Sequence, residues 1–430
     1  MRGIESFQRG ARLLLACGLL AAPAAEAGEL RVLLEGDAGL RSDGNALQAA
    51  AEGEAEPRHE HFARAGLRLG LSYALRRLDL ALDYAPAYER SLEDAQLDGL
   101  SHRLGLSLVA KGVRSTVRVA EQLLKTPGLE LASQPALIAP DTLLVPRRGD
   151  QLSQLFDVGY TFDVNRRNAW NAGARHAVRS FEHSDLVDST TYGLYTGWSW
   201  QVRELRSVAL QLAADHTEYQ QDRSADAATL GLGYEATLSR DLHVRAEGGL
   251  FAVETTGGRV RRPVFEPPQP EEPGADEELS ETGWRAGLAL DRRGELLGWA
   301  VALRHDISPG IGRGEPIVLD SAFAALTFAA GRRVTFGLNG QAARHRDLRD
   351  DAVATEFLAG SVRADWRFLP AAGLTAAYTR VWQESDAAPI DDLSYDRYEV
   401  GLRVRLWQSG EKPRDPGHLG EPEDEEPVAP

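Results

Sequence analysis

The chain has 430 residues, a formal net charge of −16 and a mean hydropathy of −0.32, with 43% hydrophobic residues. The acidic balance disfavours a nucleic-acid partner. No apolar run of about 18 residues exists beyond the N-terminal segment, so a helical membrane span is excluded, whereas a spanning β-barrel is not.

Arg2, Arg9 and Arg12 precede the apolar stretch 13–22, and Ala25-Glu26-Ala27 supplies a small-x-small cut ahead of Gly28. Residues 1–27 therefore read as a signal peptide. The only cysteine, Cys17, lies inside it, and Leu14-Leu15-Ala16-Cys17 loosely resembles a lipoprotein cleavage box, which leaves lipidation as an alternative. With the conventional cut the remaining chain has no thiol, so disulfides and cysteine catalysis drop out.

From residue 28 onward the sequence alternates. Leu67, Leu69, Leu71, Tyr73 and Leu75 interleave with Arg68, Gly70, Ser72 and Ala74, the period-two signature of a two-faced strand. In chain order the pattern predicts strands near 29–39, 62–75, 78–90, 100–112, 113–125, 152–164, 168–182, 189–202 and 204–218. It continues near 226–238, 241–256, 282–291, 295–307, 317–330, 332–344, 354–368, 372–384 and 393–407. These about 18 strands (16–20) are longer than the roughly five to six residues usual in soluble sheets. They suit tilted strands that cross a bilayer in about 9–11 residues.

The connections alternate in length. Tight turns at Arg76-Arg77, Lys111-Gly112, Val202-Arg203 and Gly331-Arg332 alternate with long links such as 40–61, 126–151 and 257–281. Short turns on one rim and long loops on the other are the asymmetry of an outer-membrane barrel. An even strand count returns both ends to the short-turn rim, placing the N- and C-termini in the periplasm of a Gram-negative cell. Residues 28–407 make the barrel and 408–430 an acidic, Pro-rich periplasmic tail. The link 128–146 is apolar enough to pack inside a lumen, with a surface loop as the alternative.

Two side-chain sets decide between lipid and a soluble core. Trp170, Trp198, Trp200, Trp284, Trp299, Trp366, Trp382 and Trp407 lie close to predicted strand ends, where amphipathic indoles would form membrane-interface girdles. The opposite face carries Arg175, Arg179, Arg245, Arg285, Arg304, Arg363, Arg403 and Arg405, among acids and many glycines. So many charges cannot be buried in a packed core and need water. An all-β, transmembrane, antiparallel up-and-down barrel with lipid outside and water inside satisfies both faces. Those guanidinium groups, facing the lumen, suit anionic or polyhydroxylated cargo. Gly66, Gly70, Gly105, Gly173 and Gly197 fall on the same face, which reads as relief of crowding or as a smooth bore.

No nucleophile elbow, phosphate loop or zinc-protease motif occurs, so no enzyme and no cofactor are expected. His59-Glu60-His61, placed by the pattern in the first long loop, is a two-imidazole metal candidate whose plainer reading is a solvated loop.

The stretch "YEVGLRVRLW" (398–407), with Glu399, Gly401, Val404 and Leu406, resembles the C-terminal assembly signal of outer-membrane barrels, although a tail follows it. In strand count, short N-terminus, absent plug and Gly/Arg-lined strands such as "TTYGLYTGWSWQV", the chain resembles the β-barrel porins encoded with exopolysaccharide synthesis systems. That resemblance implies polysaccharide export across the outer membrane beside a periplasmic export protein. A general diffusion porin for small solutes and a non-conducting surface anchor are the alternatives.

Overall fold

The computed structural model describes residues 29–44, 59–95, 98–127, 150–182, 186–220, 223–257, 279–310, 315–348, 354–385 and 393–409. The expected signal segment 1–27 with Cys17, the links 128–149 and 258–278, and the tail from residue 410 lie outside the described residues.

Eighteen strands account for nearly all of them: β1 (Glu29–Gly44), β2 (His59–Ala74), β3 (Leu78–Ser91), β4 (Gly99–Lys111), β5 (Ser115–Pro127), β6 (Asp150–Asn165), β7 (Asn168–Phe181), β8 (Ser189–Arg203) and β9 (Arg206–Tyr219). The second half is β10 (Arg223–Ser239), β11 (Leu242–Thr256), β12 (Leu279–Arg293), β13 (Leu297–Ser308), β14 (Ile317–Ala330), β15 (Val334–Asp347), β16 (Ala354–Leu369), β17 (Ala372–Ser385) and β18 (Leu393–Gln408). Each strand pairs antiparallel with its sequence neighbours, and β1 pairs with both β2 and β18, so the sheet closes on itself. Closure leaves no unpaired edge. Glu29 lies opposite Ala74 and Leu34 opposite Trp407, so β1 begins and β18 ends on the rim of the tight turns.

Several boundaries differ from the sequence reading. β1 runs on to Gly44, and β2 starts at His59, so the His-Glu-His stretch opens a strand instead of sitting in a loop. The described residues hold no group of three or more His, Cys, Asp or Glu placed to bind a metal. The turn expected at Val202-Arg203 falls at Glu204-Leu205. Strand β5, expected from residue 113, starts at Ser115, which leaves Arg114 in the turn after β4.

Register sorts every strand into two faces. One face carries Val208, Leu210, Leu212 and Ala214 of β9, opposite Tyr234, Leu232, Leu230 and Ala228 of β10. Its leucines stand bare, with Leu194 67% and Leu250 61% exposed. Most residues that line one shared cavity from β4 round to β13 belong to the other face, Arg118, Asp157, Arg175, Gln211 and Asp215 among them, so that face points inward. An apolar outward belt all around the wall far exceeds the few hundred Å² that soluble monomers tolerate. Water cannot be its solvent.

All eight tryptophans point outward. Trp170, Trp198, Trp200, Trp299 and Trp366 sit toward the turn rim, whereas Trp284 and Trp382 sit toward the long-loop rim. Trp407 needs a bulge to join them. Strict alternation would send it inward with Arg403 and Arg405, but the register slips at Leu34/Glu35 and sets Trp407 opposite outward Leu34. Toward the long-loop rim the outward rows turn polar, through His176, Tyr192, His216, Asp226 and Glu254. The row through His305, Asp320, Arg344 and Glu356 continues the change, and the Trp284 ring stacks on His305 at 3.8 Å. These rows mark where the apolar belt stops.

Candidate functional site: the lumen wall

The inner face is not uniform. At the long-loop end, inward Phe62, Ile317, Leu319, Phe357, Val381 and Tyr395 are all buried. Among the described residues, a cavity of about 740 Å³ hugs the wall from β4 to β13. That lies within the roughly 300–1,000 Å³ of a site that encloses a small organic molecule. Across it runs one contact of long reach: Tyr219 Oη, at the end of β9, donates to the carbonyl of Pro309, just past β13, at 2.7 Å. Three strands separate the two partners along the wall, so the chain at Pro309 leans inward.

Register places all eight predicted arginines on the inner face. Only Arg175, Arg179, Arg285 and Arg304 line the cavity, and Arg118 joins them. Arg245, Arg363, Arg403 and Arg405 lie outside it. Arg363 forks onto Asp365 with two 2.8 Å bonds, and Arg245 meets Glu235 at 3.1 Å. Arg405 faces Glu35 at 3.8 Å. The residues expected to form an assembly signal split by face, with Glu399 and Gly401 inward and Val404 outward.

What the strand pattern misses is the acids that hold these cations. Arg175 Nε donates to Asp215 at 2.9 Å. Asp306, 4% exposed, serves two guanidinium groups, Arg304 through Nε at 3.1 Å and Arg285 at 3.2 Å. Arg179 donates to Ser153. Asp157 stands directly opposite Arg175 in register, yet Arg175 turns the other way, over Gly193, to reach Asp215. Asp157 accepts instead from Tyr195 Oη, at 3.2 and 3.3 Å. In sum, the cavity presents five guanidinium groups and three carboxylates.

The inward glycines explain how these groups fit. A Cβ on Gly173 would lie 2.3 Å from the Tyr195 ring, and one on Gly159 would lie 3.0 Å from its hydroxyl. Tyr195 thus lies flat over two glycines to reach Asp157, an aromatic ring covering bare backbone. Relief of crowding is the structural reason for Gly173, and a smooth bore is not. Gly173→Val should displace the ring and destabilise the protein by about 1–3 kcal/mol, the usual cost of overpacking. Urea unfolding of the detergent-folded protein measures this, and an unchanged midpoint would refute the packing account.

No protein-family model matches the sequence, and no curated protein matches it. Among solved structures, OccK2 (OpdF) of Pseudomonas aeruginosa in complex with glucuronate is similar at a TM-score of 0.45 and 11% identity, covering 90% of this chain and 100% of that one. OpdK of Pseudomonas aeruginosa with vanillate is similar at 0.45 and 12% identity, with the same coverage of 90% and 100%. OccAB3 of Acinetobacter baumannii is similar at 0.45 and 9% identity, covering 88% of this chain and 99% of that one.

Proposed function

We propose that the chain is an outer-membrane channel for small hydrophilic solutes, with a preference for anions. One observation carries this reading: a closed wall, greasy outside, encloses a cavity whose five guanidinium groups outnumber its three carboxylates. About 18 strands leave an aqueous interior where eight would fill it. In this reading the outward tryptophans sit at headgroup level, the tight turns face the periplasm, and residues 1–27 direct export.

Polysaccharide export beside a periplasmic partner is what the overall plan suggests from sequence. The Tyr219–Pro309 crossing, beside a cavity of small-molecule size, favours the small-solute alternative, because a polymer needs a clear bore along its whole length. The test is conductance in planar bilayers under a potassium chloride gradient. Stepwise current with a reversal potential on the chloride side is expected, and Arg285→Gln with Arg304→Gln should move it toward potassium. A silent bilayer would return the anchor reading, and cation selectivity in the unmodified protein would refute the anion preference.

A further inference from the structure

We propose that the cavity wall between β5 and β8 is a binding site for zwitterionic solutes of the α-amino acid class, with Asp157 taking the ammonium and Arg118 the carboxylate. The proposal rests on the channel reading and deepens it.

The argument starts from a charge left over. Across β6 to β9, one row of directly opposed residues runs Asp157, Arg175, Gly193, Asp215. Arg175 could have served either acid. It serves Asp215, because Gly193 has no side chain and lets the guanidinium cross β8. Among the described residues Asp157 keeps only the Tyr195 hydroxyl, a neutral donor at 3.2 and 3.3 Å.

A cation is left over beside it. Arg118 is opposite Gly159 on β6, one diagonal step from Asp157. It is exposed, lines the same cavity, and makes no ion pair among the described residues. Diagonal neighbours on antiparallel strands are about 7–8 Å apart, within reach of long side chains. Even so, no ion pair joins Arg118 and Asp157 among the described residues, and the carboxylate takes the Tyr195 hydroxyl instead. A carboxylate held by a neutral hydroxyl and no cation, next to a guanidinium fork without a carboxylate among the described residues, is complementary to a molecule that carries both charges on one carbon. The ammonium would donate to Asp157 and Tyr195, and the carboxylate would take the fork of Arg118. Thr116 and Thr161 add neutral hydroxyls along the same stretch of wall.

Block of single-channel current by L-serine, with erythritol and lactate as the uncharged and anionic probes, tests this. Serine should block at concentrations where erythritol does not. Asp157→Asn should raise the half-blocking serine concentration on the order of tenfold, the loss of one charge-assisted hydrogen bond, and leave lactate unaffected. Arg118→Gln should weaken serine and lactate together, and Tyr195→Phe should weaken serine alone. The heat-dependent gel shift of folded barrels reports whether each variant has assembled. Serine acting no better than erythritol, or an Asp157→Asn channel blocked by serine as before, overturns the zwitterion site while the channel stands. A silent bilayer instead removes the channel reading itself.

Discussion

Asp43→Ala is expected to destabilise the barrel by about 3–5 kcal/mol, the usual cost of removing one partner from a buried ion pair. Asp43 sits where the first strand meets the last. Arg397 of β18 forks onto it at 2.9 and 3.2 Å, and Arg41 of β1 approaches at 3.1 Å. Arg41 also binds Glu89 of β3 at 2.6 Å and lies 4.5 Å over the Phe62 ring of β2, while Arg397 lies 5.2 Å over Tyr395. Both guanidinium groups are under 9% exposed, so water screens their mutual repulsion poorly once the shared carboxylate is gone. The strands being joined are 354 residues apart in sequence at this contact, so nothing local substitutes for it. The double variant Asp43→Leu with Arg397→Met should lie closer to the unmodified protein than Asp43→Ala does, because it removes the seam's charge pair together and leaves Arg41 with Glu89. Urea titration of protein folded in liposomes ranks the two. Equal midpoints for Asp43→Ala and the parent would mean that the seam is held by backbone pairing alone.

That seam shows where sequence reasoning stops. The strand count and the two faces were legible because lipid outside and water inside impose the same alternation on every strand, so errors in one segment do not propagate. Arg175 and Arg403 could both be assigned inward from their neighbours alone. Boundaries at the long-loop rim were not legible. Beyond the apolar belt the outward positions become polar, as at Ser42 opposite His61, and the period-two contrast fades although pairing continues. Nor could sequence say which inward arginines share a cavity. Arg175 and Arg285 are 110 positions apart, and barrel closure and stagger bring them onto one wall. The Tyr195 platform has a signal of its own, glycines at 159 and 173 with a tyrosine at 195, yet it means nothing until register aligns them. Trp407 joins the girdle set by its place at a strand end, and only the bulge beside it supplies the outward geometry.

The second large effect separates the two faces at adjacent positions of one strand. Leu212 of β9 points outward, 49% exposed, between Leu230 and Thr196. Gln211 points inward, lines the cavity, and lies between Gly197 and Gly231. Leu212→Arg should cost about 2–4 kcal/mol in a bilayer, the measured range for a cation on the lipid face near mid-depth. Gln211→Arg should cost under about 0.5 kcal/mol, since its charge meets water and bare glycines. Hydrophobicity alone does not predict this gap, because an exposed leucine on a soluble sheet would accept arginine as readily as an exposed glutamine does. The difference arises only if the medium changes across one backbone width. Urea titration of both variants in liposomes reads it directly. Equal midpoints would leave the outward belt facing water, and the enclosed charges would then need no wall to keep lipid from them.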